Sequence, residues 1–139
     1  MSEMTLPLTV ELRLLVYSVA LLIACVAIQA SAGLFAQGLP AMAGSRDNLP
    51  APKTFQARTK RLVDNHREGL AMFAPLVLVA ALMNLSNEWT VLAARLFFYS
   101  RLAHAIVYLL GVAWIRAGLW GIGMVGTLMM LLSLLGIIS

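Results

Sequence analysis

Arg61, Asn65 and Glu68 follow one another at intervals of four and three residues and lead directly into the apolar run 70–85. At about 100° per helical residue they lie within about 40° of one another, on one face of a helix. Arg101, His104 and Tyr108 form a second row, spaced by three and four residues inside another apolar run. They share a face within about 60°. Groups of this kind are expensive in lipid unless paired or hydrated, so they mark a candidate site. Arg116 adds a further cation beside the next apolar run. Three arginines, an amide and a phenol suit an anionic, peptide-like ligand, because guanidinium groups hold carboxylates in bidentate fashion. One histidine and one carboxylate are too few for a metal site. Ser31 and Ser100 have no positioned base, and there is no glycine-rich phosphate loop.

Each residue also has a plainer reading. Glu68 and Arg101 could be only an ion pair between helices, Tyr108 an interfacial ring, His104 a packed side chain and Arg61 a topology signal. His66 and Arg67 fall off the shared face and read as surface or headgroup contacts, as do Lys53, Arg58 and Lys60. Arg95 lies about 120° from the second row and is expected to have its own structural partner.

The elements that position these rows are membrane helices. The chain has 139 residues, 61% hydrophobic and only 12% charged. A soluble domain is nearer half apolar and a quarter charged. Crossing about 30 Å of hydrocarbon takes about 20 helical residues. Four stretches suffice, at about 12–35, 55–85, 89–115 and 117–138, giving one domain over 1–139. Short second and third connections imply an up-down-up-down bundle of four transmembrane helices. The acidic start, MSEMTLPLTVEL, has no basic segment, so no cleaved leader is expected. Cys25, the single cysteine, lies in an apolar run and reads as packing.

The first connection, rich in glycine and proline, and the helix entry after it carry Arg46, Lys53, Arg58, Lys60 and Arg61, whereas the second has no basic residue. The positive-inside rule places the basic loop in the cytoplasm and both termini on the opposite side. Levelling the second and third spans at Met83 and Trp89, with about 1.5 Å per residue, sets Glu68 opposite Arg101 and His104 and Asn65 opposite Tyr108.

Three motifs in this order carry a resemblance: Arg61-x-x-x-Asn65-x-x-Glu68, Arg101-x-x-His104-x-x-x-Tyr108, and Arg116 followed by the aromatic Trp120. The chain resembles the MAPEG family, membrane-associated proteins in eicosanoid and glutathione metabolism, in a bacterial-type form. The likeness covers most of the chain and is strongest over 58–126. It implies a homotrimer of four-helix subunits in a bacterial inner membrane, with glutathione as co-substrate bound between subunits near the cytoplasmic face. It further implies that Arg61, Asn65, Glu68, Arg101, His104 and Tyr108 hold glutathione and that Arg116 lies by its thiol. A hydrophobic electrophile or lipid hydroperoxide would arrive from the bilayer, with transferase or peroxidase chemistry. Two departures stand out. Several active members have a first-helix arginine where this chain offers Gln29 and Gln37, and some have a tyrosine where it has Trp120. The rival expectation is a non-catalytic member that binds lipid or a partner. A small multidrug transporter fits less well, since those use a lone first-span carboxylate and this span has none after Glu11.

Overall fold

A computed structural model describes residues 8–40, 44 and 54–139. These residues form four main helices: α1 Val10–Gln37, α2 Thr54–Leu82, α3 Glu88–Leu110 and α4 Ala113–Leu134. Arg46 and Lys53 lie outside the described residues. Helices α1, α3 and α4 are long and apolar enough to cross a membrane. Helix α2 has the length, with 29 residues, but its first half carries the charges and its apolar part begins only at Gly69.

Local chemistry sets the helix ends. Thr9 caps α1, its Oγ1 accepting from the Leu12 N–H at 3.2 Å. Asn87 and Thr90 form a reciprocal capping box on α3, satisfying N–H groups that a helix start leaves free. The sequence places the third break after Ile115. The chain breaks earlier, at Gly111, whose φ of 81° is left-handed and ends α3. Glycine adopts that conformation without a Cβ penalty. Trp114, Ile115 and Arg116 therefore belong to the first turns of α4.

Gln37 meets Gln56 at 3.3 Å, which sets the end of α1 beside the start of α2. Tyr17 packs on Phe98, with ring centroids 5.9 Å apart. Hence α1 and α3 run parallel, and α2 and α4 run the other way. The core forms where Leu70, Phe73 and Val77 of α2 meet Ala93, Ala94 and Phe97 of α3 and Met130 of α4, while Leu62 and Val63 pack in a second cluster with Cys25, Ala105 and Tyr108. Phe73 and Phe97 stack at 4.0 Å. Helices α3 and α4 approach so closely that a Cβ on Gly126 would lie 2.7 Å from the Ala93 carbonyl oxygen.

Candidate functional site

Four polar residues named from the sequence converge on one open groove of about 310 Å³. Asn65 comes from α2, His104 and Tyr108 from α3, and Arg116 from α4, with Ala117 and Trp120 completing the wall. The Arg116 guanidinium lies over the Tyr108 ring, 4.9 Å from its centroid. That contact fixes a cation at the groove by attraction to the ring face. The His104 ring stands 5.4 Å from that of Tyr108. The groove thus presents a fixed cation, a phenol, an imidazole and an amide on apolar walls. Such a set can orient an anionic, hydrogen-bonding ligand while leaving one side open to an apolar reactant.

Arg101 lies behind this groove, only 2% exposed. Its Nη1 donates to Asn65 Oδ1 at 2.6 Å, and its Cζ lies 5.5 Å from the Phe97 ring centroid. Two glycines make room for it. A Cβ on Gly69 would collide with the guanidinium, and one on Gly123 would come within 3.3 Å of its Nε. A cavity of about 10 Å³, bordered by Ser18, His66, Leu70 and Phe97, touches the arginine from the α1 side. Arg101 therefore reaches the groove through Asn65 rather than lining it.

Within the subunit Arg101 is not paired with Glu68, which is exposed. The register explains this. His66 faces His104, ring centroids 5.5 Å apart, as Phe73 faces Phe97. The sequence sets Glu68 opposite His104, so α2 sits two residues, about 3 Å, from that placement. Arg61 is exposed and does not border the groove. Arg95, given a structural partner from sequence, is exposed and has no ion pair among the described residues.

Two residues read as surface contacts have other roles. His66 is 4% exposed and packs against His104. The signal was its place in the stripe Leu62, His66, Leu70, Phe73 and Val77, at helical spacing. Arg58 donates from Nη1 to the Leu109 carbonyl at 3.1 Å, and its guanidinium lies against Gly111. A cation there satisfies a free carbonyl and opposes the negative end of the α3 dipole. It also ties the α3–α4 turn to α2, two turns before Asn65.

Compared with known proteins, residues 12–136 match the model of the MAPEG family. No curated protein matches, and no solved structure does.

Proposed function

The chain belongs to the MAPEG family, and from that premise we propose that it is a glutathione-dependent membrane transferase or peroxidase. Its second substrate is a hydrophobic electrophile or a lipid hydroperoxide. The observation that carries this reading is the groove in which Asn65, His104, Tyr108 and Arg116 converge. Its volume falls at the small end of the roughly 300–1,000 Å³ usual for small-molecule sites.

Arg116 is the residue we assign to the thiol. A thiolate is the nucleophile, and a fixed cation beside the sulfur favours it over the thiol. A tenfold rise in thiolate corresponds to about 1.4 kcal/mol of differential stabilisation. In a conjugation the thiol proton leaves to water, the sulfur forms a bond to the electrophilic carbon, and the leaving group departs with its electron pair. Tyr108 holds the guanidinium in place, and Arg101 holds Asn65. Arg61 and Glu68 complete the tripeptide's binding from the exposed side of α2. An exposed carboxylate on a membrane helix is costly, and the groove is open on one side. Both features support a homotrimer in which a neighbouring subunit covers that side.

One observation favours a non-catalytic, lipid- or partner-binding member: α1 brings no arginine to the groove, since its one arginine, Arg13, stands at the opposite end of the helix and Gln37 is engaged by Gln56. The two readings separate in an assay of conjugation with several hydrophobic electrophiles and of lipid hydroperoxide reduction. The enzymatic reading expects glutathione-dependent turnover that falls in Arg116→Ala. Binding of glutathione without turnover on any of these substrates leaves the non-catalytic reading.

A further inference from the structure

Arg13 and Tyr17 stand four residues apart on α1, and Arg95 and Tyr99 four apart on α3. Both helices run in the same direction, and Tyr17 packs on Phe98, which meets Tyr99 edge-on with centroids 5.2 Å apart. The two pairs are therefore level, with the aromatic groups in one continuous row and an arginine one turn above each end. All four paired residues are exposed, Tyr17 at 48% and Tyr99 at 58%. No carboxylate lies within ion-pair distance of either arginine among the described residues.

We propose that these two pairs bind one anionic phospholipid, its phosphodiester between Arg13 and Arg95 and its glycerol and upper acyl carbons against Tyr17, Phe98 and Tyr99. The site lies in the leaflet beside the α2–α3 turn, at the opposite end of the helices from the Arg116 groove, and does not depend on the glutathione reading. Depth supports it. Arg95 is six residues below Trp89, or about 9 Å along the helix. Side chains on a helix tilt toward its N-terminus, and both α1 and α3 begin at this membrane face. Both guanidinium groups can therefore extend toward the headgroups while their stems stay in hydrocarbon. Guanidinium is the matching donor for a phosphodiester.

A second copy of the chain fits less well. Copies in one bilayer share their depth. Among the described residues the carboxylates near this face are Glu11, which is buried, and Glu88, about 10 Å above the level of Arg95. Neither meets the arginines at their own height.

Native mass spectrometry of the detergent-purified chain tests the site, with phosphatidylglycerol and phosphatidylcholine of the same acyl composition as probes. Wild type should retain phosphatidylglycerol in preference to phosphatidylcholine. Each of Arg13→Gln and Arg95→Gln should weaken phosphatidylglycerol about five-fold, and the double variant about thirty-fold. Phosphatidylcholine retention, glutathione binding and helicity should not change, and Arg67→Gln should behave as wild type. If the double variant does not fold, the two single variants carry the test. Equal retention of both lipids by wild type, or unchanged phosphatidylglycerol retention in the arginine variants, overturns the proposal. So does loss of the oligomer in these variants without any change in lipid retention, which would make the arginines a subunit contact.

Discussion

Arg101 donates to Asn65 across the α2–α3 interface at 2.6 Å, and this bond links a buried cation to the wall of the groove. Removing the amide leaves the guanidinium without that acceptor in a low-dielectric interior. Asn65→Ala should destabilise the fold by about 1.5–3 kcal/mol, the usual range for a hydrogen bond to a charged group. Asn65→Asp should keep most of the stability. Thermal unfolding in detergent checks both. Equal melting of wild type and Asn65→Ala would show that the bond contributes little.

Gly126 is the point of closest approach of α3 and α4, and the added Cβ would press on backbone rather than on a movable side chain. Gly126→Ala should therefore cost about 1–3 kcal/mol, as overpacking usually does. Gly121→Ala meets open space on the same helix and should be neutral or stabilising by up to about 1 kcal/mol. Parallel melting curves for the two variants decide the point, and equal effects would contradict the packing described.

Arg58 holds the Leu109 carbonyl beside the turn that launches Arg116. Arg58→Ala should destabilise by about 1 kcal/mol and lower turnover more than glutathione affinity, because it loosens the start of α4. Arg58→Lys should restore part of both through its charge. Steady-state kinetics separates this from a purely structural role, which would leave the turnover of the folded fraction unchanged.

Tyr108 and Arg116 act as a unit if the ring positions the cation. Tyr108→Phe keeps the ring face and should retain most of the thiolate signal of bound glutathione near the ultraviolet edge. Tyr108→Ala should lose most of that signal, as should Arg116→Ala, which should still bind glutathione. Full turnover in Arg116→Ala would remove this arginine from the chemistry.

Much of the site was legible because helical periodicity fixes faces. The spacing of Asn65, His104 and Tyr108 placed them on helices that could meet, and all three border the groove with Arg116. Two things were harder to read. The charged row on α2 leaves Arg61 and Glu68 exposed, and the inward stripe is apolar and contains His66, because α2 packs against α1 as well as α3 and α4. Levelling Met83 with Trp89 centres the turn one residue too late: α2 ends at Leu82 and α3 begins at Glu88, and that shift of one residue in the turn moves every facing pair by two. Phe73 on Phe97 fixes the register, and that pairing depends on side-chain fit that periodicity does not encode. The end of α3 at Gly111 was marked by a glycine, yet the apolar run continues through it.

Calorimetric titration of glutathione into the detergent-solubilised protein, wild type beside Ala117→Trp, tests most directly that the groove is a glutathione site. Ala117 borders the groove and is exposed, so the indole would occupy the groove without disturbing the core. Saturable binding to wild type and its loss in Ala117→Trp, with the variant still folded, is the expected result. No binding to wild type, or equal binding to both proteins, would contradict the assignment.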